Sequence, residues 1–197
     1  MMTIMATSED LLHESEFRPL TVDDLARLPD DGKRYELVDG VLIVSAAPFN
    51  IHQLVVDNVV ALLRHAGRHD QRYRAFSGIG LSPDQHNQYI PDVTLLETSR
   101  FTDRYTDTPP PLVVEVASGS TGLYDRNLKK DRYLKFGVPA YWIIDPDRRA
   151  PSLSAYELAG GQYKQIAHVV GDEPFTALLP FPVRVVPSEL LELYPEW

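Results

Sequence analysis

Apolar residues recur along the chain at two periods, and the places where the period changes mark out its elements. In "NIHQLVVDNVVALLRHAGRH" the residues Ile51, Leu54, Val55, Val59, Leu62 and Leu63 return every three or four positions, which predicts an amphipathic helix from about residue 51 to 66. Its apolar stripe calls for a sheet beneath it. "LYDRNLKKDRYLKF" reads as a second helix closed by Gly137 and Pro139, and "TVDDLARLP" as a short one with Thr21 as N-cap and Asp24 three residues on, ended before Pro29. Elsewhere the apolar positions alternate or run together over short stretches, as strands do. "RYELV" and "VLIVSAA" flank Asp39-Gly40, the two-residue signal of a tight hairpin, and "YRAF", "GIGL", "PDVTLLE", "LVVEVAS" and "AYWIIDP" follow as further strands. "SLSAYEL" and "QYKQIAHVV" form a hairpin through Gly160-Gly161, and "PSELLELYPEW" reads as a short closing helix. A polar, proline-rich loop, "TSRFTDRYTDTPPP", separates "PDVTLLE" from "LVVEVAS". The order of elements predicts an α/β (α+β) fold, a mixed β-sheet flanked by helices.

Composition narrows the setting. With 197 residues and 44% hydrophobic content the chain has enough apolar surface for one sizeable core. Residues 1–17 are polar and read as a flexible N-terminal segment, and 18–197 as a single domain. There is no cysteine, so disulfides and thiolate metal sites are excluded. No targeting segment and no apolar run near the roughly 20 residues of a membrane helix appears, so the reading is a cytoplasmic protein with no membrane partner. The net charge of −9 argues against coating nucleic acid by bulk attraction. It leaves room for local basic surfaces, of which Arg64, Arg68, Arg72 and Arg74 with His65 and His69 form one, and Arg126, Lys129, Lys130, Arg132 and Lys135 another.

The chemistry concentrates on acidic residues at strand positions. In "LVVEVA" both faces of the strand are apolar, as in a central strand covered on both sides, yet Glu115 stands in the middle. An ionised carboxylate buried without a partner costs on the order of several kcal/mol. Asp92 opens the neighbouring "DVTLLE", and Glu36 lies in "RYELV". Carboxylates gathered near one sheet repel each other unless a cation intervenes, and oxygen donors suit magnesium or manganese. The competing reading pairs Glu115 with an arginine or with Lys129 and leaves Asp92 and Glu36 at exposed strand ends. Asp125, Lys129 and Tyr133 recur every four residues and share a helix face. An Asp–Lys pair at that spacing is ordinary surface chemistry, but Tyr133 and Phe136 call for burial and would draw Lys129 toward the sheet. Other constellations carry less. His65 and His69 lack an acidic third ligand for zinc, "SGIGL" lacks the pattern of a phosphate loop, and Ser118 in "ASGST" lacks the setting of a nucleophile.

"YELVDG", "HQLVVDNVVALL", "YIPDVTLLE", "PPLVVEVASGST" and "DRNLKKDRYLKFGVPAYWIIDP", in that order over about residues 18 to 190, resemble the Uma family of restriction-endonuclease-like proteins in the PD-(D/E)XK nuclease superfamily. The resemblance implies a restriction-endonuclease-like core and a metal-dependent endonuclease, a hydrolase of phosphodiester bonds in nucleic acid, DNA first. It implies magnesium or manganese held by Asp92, Glu115 and the Val116 carbonyl, with Lys129 and Glu36 completing the catalytic set. His52, Gln53 and Tyr133 are possible accessories. One departure stands out: the superfamily's E-x-K would place lysine where this chain has Ala117, and Lys129 on the following helix takes that part. A homodimer is expected by analogy with two-fold restriction enzymes on two-fold DNA. Two alternatives remain: a non-catalytic nucleic-acid-binding or assembly protein that keeps the nuclease fold, and a hydrolase of some other phosphate ester.

Overall fold

The computed structural model describes residues 7–15, 18–28, 31–45, 47–117 and 123–195, and in the fourth helix it describes side chains from Leu128 onward. The predicted helix stop at Pro29, the segment at Ser118 and the Asp125 side chain lie outside the described residues. In chain order the elements are α1 (Ser8–Ser15), α2 (Val22–Leu25), β1 (Arg34–Val38), β2 (Val41–Ser45), α3 (Asn50–Ala66), β3 (Tyr73–Ser77), β4 (Leu81–Asp84), β5 (Asn87–Tyr89) and β6 (Val93–Glu97). They continue with β7 (Leu112–Val116), α4 (Leu123–Phe136), β8 (Ala140–Asp145), β9 (Ser152–Ala159), β10 (Gln162–Val170), β11 (Phe175–Ala177) and β12 (Val183–Val185). The chain groups into two compact units. One comprises residues 1–47, 80–90 and 103–108, the other 48–79, 91–102 and 109–197.

The first unit carries an antiparallel sheet in the order β2-β1-β5-β4. The predicted Asp39-Gly40 hairpin is present, with φ of 50° and 78°, the left-handed pair that a tight two-residue turn requires. A Cβ on Gly40 would also lie 2.5 Å from Pro19 Cβ, so glycine is needed there twice over. Asp24 closes the start of α2 by accepting the Thr21 N–H at 2.8 Å, and Arg18 grips the same carboxylate with two bonds of 2.7 and 2.8 Å. Two elements here have no apolar signature. In α1 Leu11 is fully buried, and β5 is "NQY", held because the Asn87 amide oxygen accepts both the Asp39 N–H and the Tyr89 hydroxyl. The predicted strand "GIGL" begins instead at Leu81, because Gly78 adopts φ 65° and breaks the extended backbone.

The second unit is built on a six-stranded sheet in the order β10-β9-β8-β7-β6-β3, with β11 and β12 as a separate pair. Only β7 and β8 run parallel among its described pairings, and α4 is the crossover that such a pair needs. The α3 stripe falls where predicted. Val55, Val59, Leu62 and Leu63 pack on Val93, Leu95, Val114, Val116 and Trp142, the residues that one face of the sheet presents. α4 covers the opposite face. The predicted closing helix is only a single turn, Glu189–Leu191. The Asn58 amide donates to the carbonyls of Leu190 at 3.0 Å and Glu192 at 2.8 Å, which engages acceptors that a longer helix would use for itself.

Candidate active site

Every residue of β7 is buried, and alternation sends Leu112, Val114 and Val116 toward α3 while Val113 and Glu115 face α4. Glu115 is only 7% exposed. Its charge is met by α4: the Lys129 ammonium donates to Oε2 at 3.2 Å and to Oε1 at 3.3 Å, and the Tyr133 hydroxyl donates to Oε1. Lys129 and Tyr133 are four residues apart, so one helix face delivers both donors. The lysine partner weighed in the sequence is therefore present. Burying Tyr133 against Tyr141, with ring centroids 5.3 Å apart, seats the helix that carries Lys129.

Asp92 stands immediately before β6. The pairing of Val93 with Val114, continued by one step, places it opposite Glu115. Its Oδ2 accepts the Val116 N–H at 2.9 Å and lies 3.2 Å from His52 Nε2 in the first turns of α3. In a ladder the N–H and C=O of one residue point to the same neighbouring strand, so the Val116 carbonyl is directed toward the Asp92 end of β6 as well. Tyr141, across from Val113 on β8, faces the same region. Burial pushes its phenol well above the usual tyrosine value, and the charges of Glu115 and Asp92 push it further in the same direction.

The structure thus brings Asp92, Glu115, Val116, Lys129, Tyr133 and His52 together at one end of the central strands of the second unit. It does not bring Gln53, whose amide donates to Asp57 at 2.9 Å on the exposed side of α3. Glu36 belongs to the first unit, where its Oε1 accepts the Ile90 N–H at 2.8 Å. Among the described residues no three His, Asp or Glu side chains gather as a ready metal cage. The donors present are two buried carboxylates and a backbone carbonyl, all oxygen.

Sequence reasoning missed the tyrosines of β8 to β10. Tyr141 pairs directly with Tyr156, and Tyr163 stacks on Tyr141 and lies tilted against Tyr156, while Lys130 lies 3.5 Å from the centre of the Tyr156 ring. Burial lowers the Lys130 ammonium and raises the Tyr163 phenol. The aligned tyrosines in "AYWII" and "SAYEL" were the available signal. The Arg64–Arg74 cluster is partly absorbed internally: Arg64 donates to the Ala75 carbonyl, Arg68 to the His65 carbonyl and Arg72 to Asp70. No helix among the described residues is long and apolar enough to cross a membrane.

A solved structure from Anabaena variabilis ATCC 29413, described as "a putative nuclease belonging to DUF820", superposes with a TM-score of 0.66 at 22% identity, covering 88% of this chain and 98% of that one. At that identity the likeness shows a shared fold. A DrdV–DNA complex matches with a TM-score of 0.32 at 13% identity, over 60% of this chain and 12% of that one. No curated protein matches the chain. The Uma2 family model, described as "Putative restriction endonuclease", matches residues 22–188, and the chain belongs to that family.

Proposed function

We propose that this protein is a metal-dependent nuclease that hydrolyses phosphodiester bonds of DNA at the Asp92–Glu115 end of its sheet. The observation that carries this reading is a buried carboxylate at the centre of an apolar strand, with a second one opposite and an ammonium 3.2 Å away. The donor set fits a hydrated magnesium or manganese ion, which binds through one or two carboxylates and keeps several waters, rather than one held in an all-protein cage. Asp92, Glu115 and the Val116 carbonyl would hold it. When bound, the ion would polarise the scissile phosphate as a Lewis acid. Lys129 would orient the attacking water and offset the charge that grows on the phosphate oxygens, a part open to it because its side chain keeps 29% of its surface exposed. Tyr133 would hold the Glu115 carboxylate in one rotamer, and His52 with the Val116 N–H would do the same for Asp92.

The second reading, a nuclease fold kept for binding without cutting, draws support from the same contacts. Lys129 and Tyr133 already compensate Glu115, so the carboxylate is tolerable without any ion. One experiment separates the two: magnesium and manganese titrated by calorimetry, then cleavage of plasmid and single-stranded DNA by the wild type, Glu115→Ala and Lys129→Ala. Metal-dependent cutting lost in both variants supports the enzyme. Metal binding with intact DNA in every lane favours the retained fold.

A further inference from the structure

Phe175 and Phe181 serve the core of the second unit and are 8% and 7% exposed. Phe101 is different. It follows the turn Thr98–Arg100 at the end of β6 and stacks on Phe76 of β3, with centroids 5.4 Å apart and planes 22° from parallel, yet it remains 55% exposed. An aromatic ring laid flat on another, with half its surface in water, gains little from the fold and presents a π-face to solvent. Two exposed arginines accompany it. Arg74 is two residues from Phe76 on β3 and so shares its face of the sheet, and Arg100 precedes Phe101. Neither has a carboxylate partner among the described residues, whereas Arg72 beside them is held by Asp70 at 2.7 Å. In a chain of net charge −9, unsatisfied cations beside a stacked ring point to an anionic ligand with a flat apolar part.

The sheet register fixes where this platform lies relative to Glu115. Phe76 pairs with Thr94 and Thr94 with Val113, so Phe76, Val113 and Glu115 share one face. Two strand spacings across and two residues along amount to about 12 Å. That is a short span along a DNA strand, whose stacked nucleotides are about 3.4 Å apart.

We infer that Phe76 and Phe101, with Arg74 and Arg100, form a stacking site for an unpaired base of the DNA strand, about 12 Å from Glu115. The site rests on the nuclease reading only for the identity of its ligand. Base stacking on an aromatic ring supplies affinity that tolerates any sequence, and the arginines engage the neighbouring phosphates. The surface would favour a single-stranded or locally opened substrate, since a base within an intact duplex already has both faces covered.

The test is binding without cleavage. Fluorescence anisotropy with the full-length chain in chelator compares a labelled thymidine oligonucleotide with an abasic strand of the same length, which keeps the phosphates and lacks the bases. The wild type should bind the base-bearing strand more tightly. Phe101→Ala should lose about 5- to 100-fold of that affinity and little of the abasic affinity, Phe101→Trp should retain the preference, and Arg74→Ala should weaken both strands alike. Phe101 is exposed enough for these changes to leave the fold intact, which circular dichroism would check. A wild type that does not distinguish the two strands, or a Phe101→Ala protein that still does, overturns the inference. Either result would leave metal-dependent cutting at Glu115 to stand or fall by its own assay.

Discussion

Lys129→Met keeps most of the lysine stem and removes the ammonium that lies 3.2 Å from Glu115. Breaking a fully buried pair costs about 3–5 kcal/mol and an exposed one about 0.2–1 kcal/mol. This pair lies between those limits, with the lysine side chain 29% and the glutamate side chain 10% exposed, and the Tyr133 hydroxyl stays on the carboxylate after the change. A loss of about 2 kcal/mol follows, or about 4–8 °C in Tm for a chain of this size. Glu115→Gln removes the charge at nearly constant shape and leaves Lys129 able to turn toward water, so its own cost should stay near or below about 1 kcal/mol. Adding Glu115→Gln to Lys129→Met should recover part of the loss, because the uncompensated charge is then gone. The coupling in the double-mutant cycle should come to about 1–2 kcal/mol. Urea unfolding followed by Trp142 fluorescence is the suitable assay. Trp142 is buried in the same unit against the edge of Phe175, and a Trp197→Phe background leaves it as the single reporter. Coupling under about 0.3 kcal/mol would refute the claim that Lys129 makes the buried glutamate tolerable. Magnesium added to Lys129→Met should restore stability, by about 2.7 kcal/mol at a concentration a hundred times its Kd, if the ion takes the place of the lost ammonium.

Two further outcomes follow from single positions. The Tyr141 phenol is raised in the folded state, so the unfolded chain releases that proton first as pH climbs past about 10. Its contribution to stability is complete below that value and declines above it, and Tyr141→Phe should flatten the alkaline limb of a stability–pH curve; an unchanged limb would argue against it. Gly40→Ala would place a Cβ 2.5 Å from Pro19 Cβ at a residue with φ 78°, and the expected loss of about 2–4 kcal/mol should appear as a lowered urea midpoint for the first unit.

Much of the site could be read before any coordinates, because the signals were chemical mismatches with the surrounding pattern. Glu115 inside an apolar run announced a partner, and the Asp125–Lys129–Tyr133 spacing named the helix face that supplies it. Gln53 was harder to place, since adjacent helical residues diverge by about 100° and only packing shows that His52 turns inward while Gln53 turns to solvent. What Glu36 contacts could not be read from its strand either; in the fold its Oε1 accepts the Ile90 N–H. β5, β11 and β12, three residues each, were too short to register, and α1 lacked a clear apolar stripe.

By itself the sequence determined the helices α3 and α4, the strands β3 and β6 to β10, the Asp39-Gly40 turn and the identity of the residues able to do chemistry, since these depend on local periodicity, backbone strain and side-chain type. Only the tertiary structure decided which of those residues meet. The antiparallel register of β6 and β7 puts Asp92 opposite Glu115, the crossover between β7 and β8 lowers Lys129 and Tyr133 onto the same carboxylate, and the pairing of β3 with β6 turns Phe76 to that face. Register is a property of strands far apart in the chain. It is chosen by the whole set of buried faces at once, so no single stretch of sequence holds it.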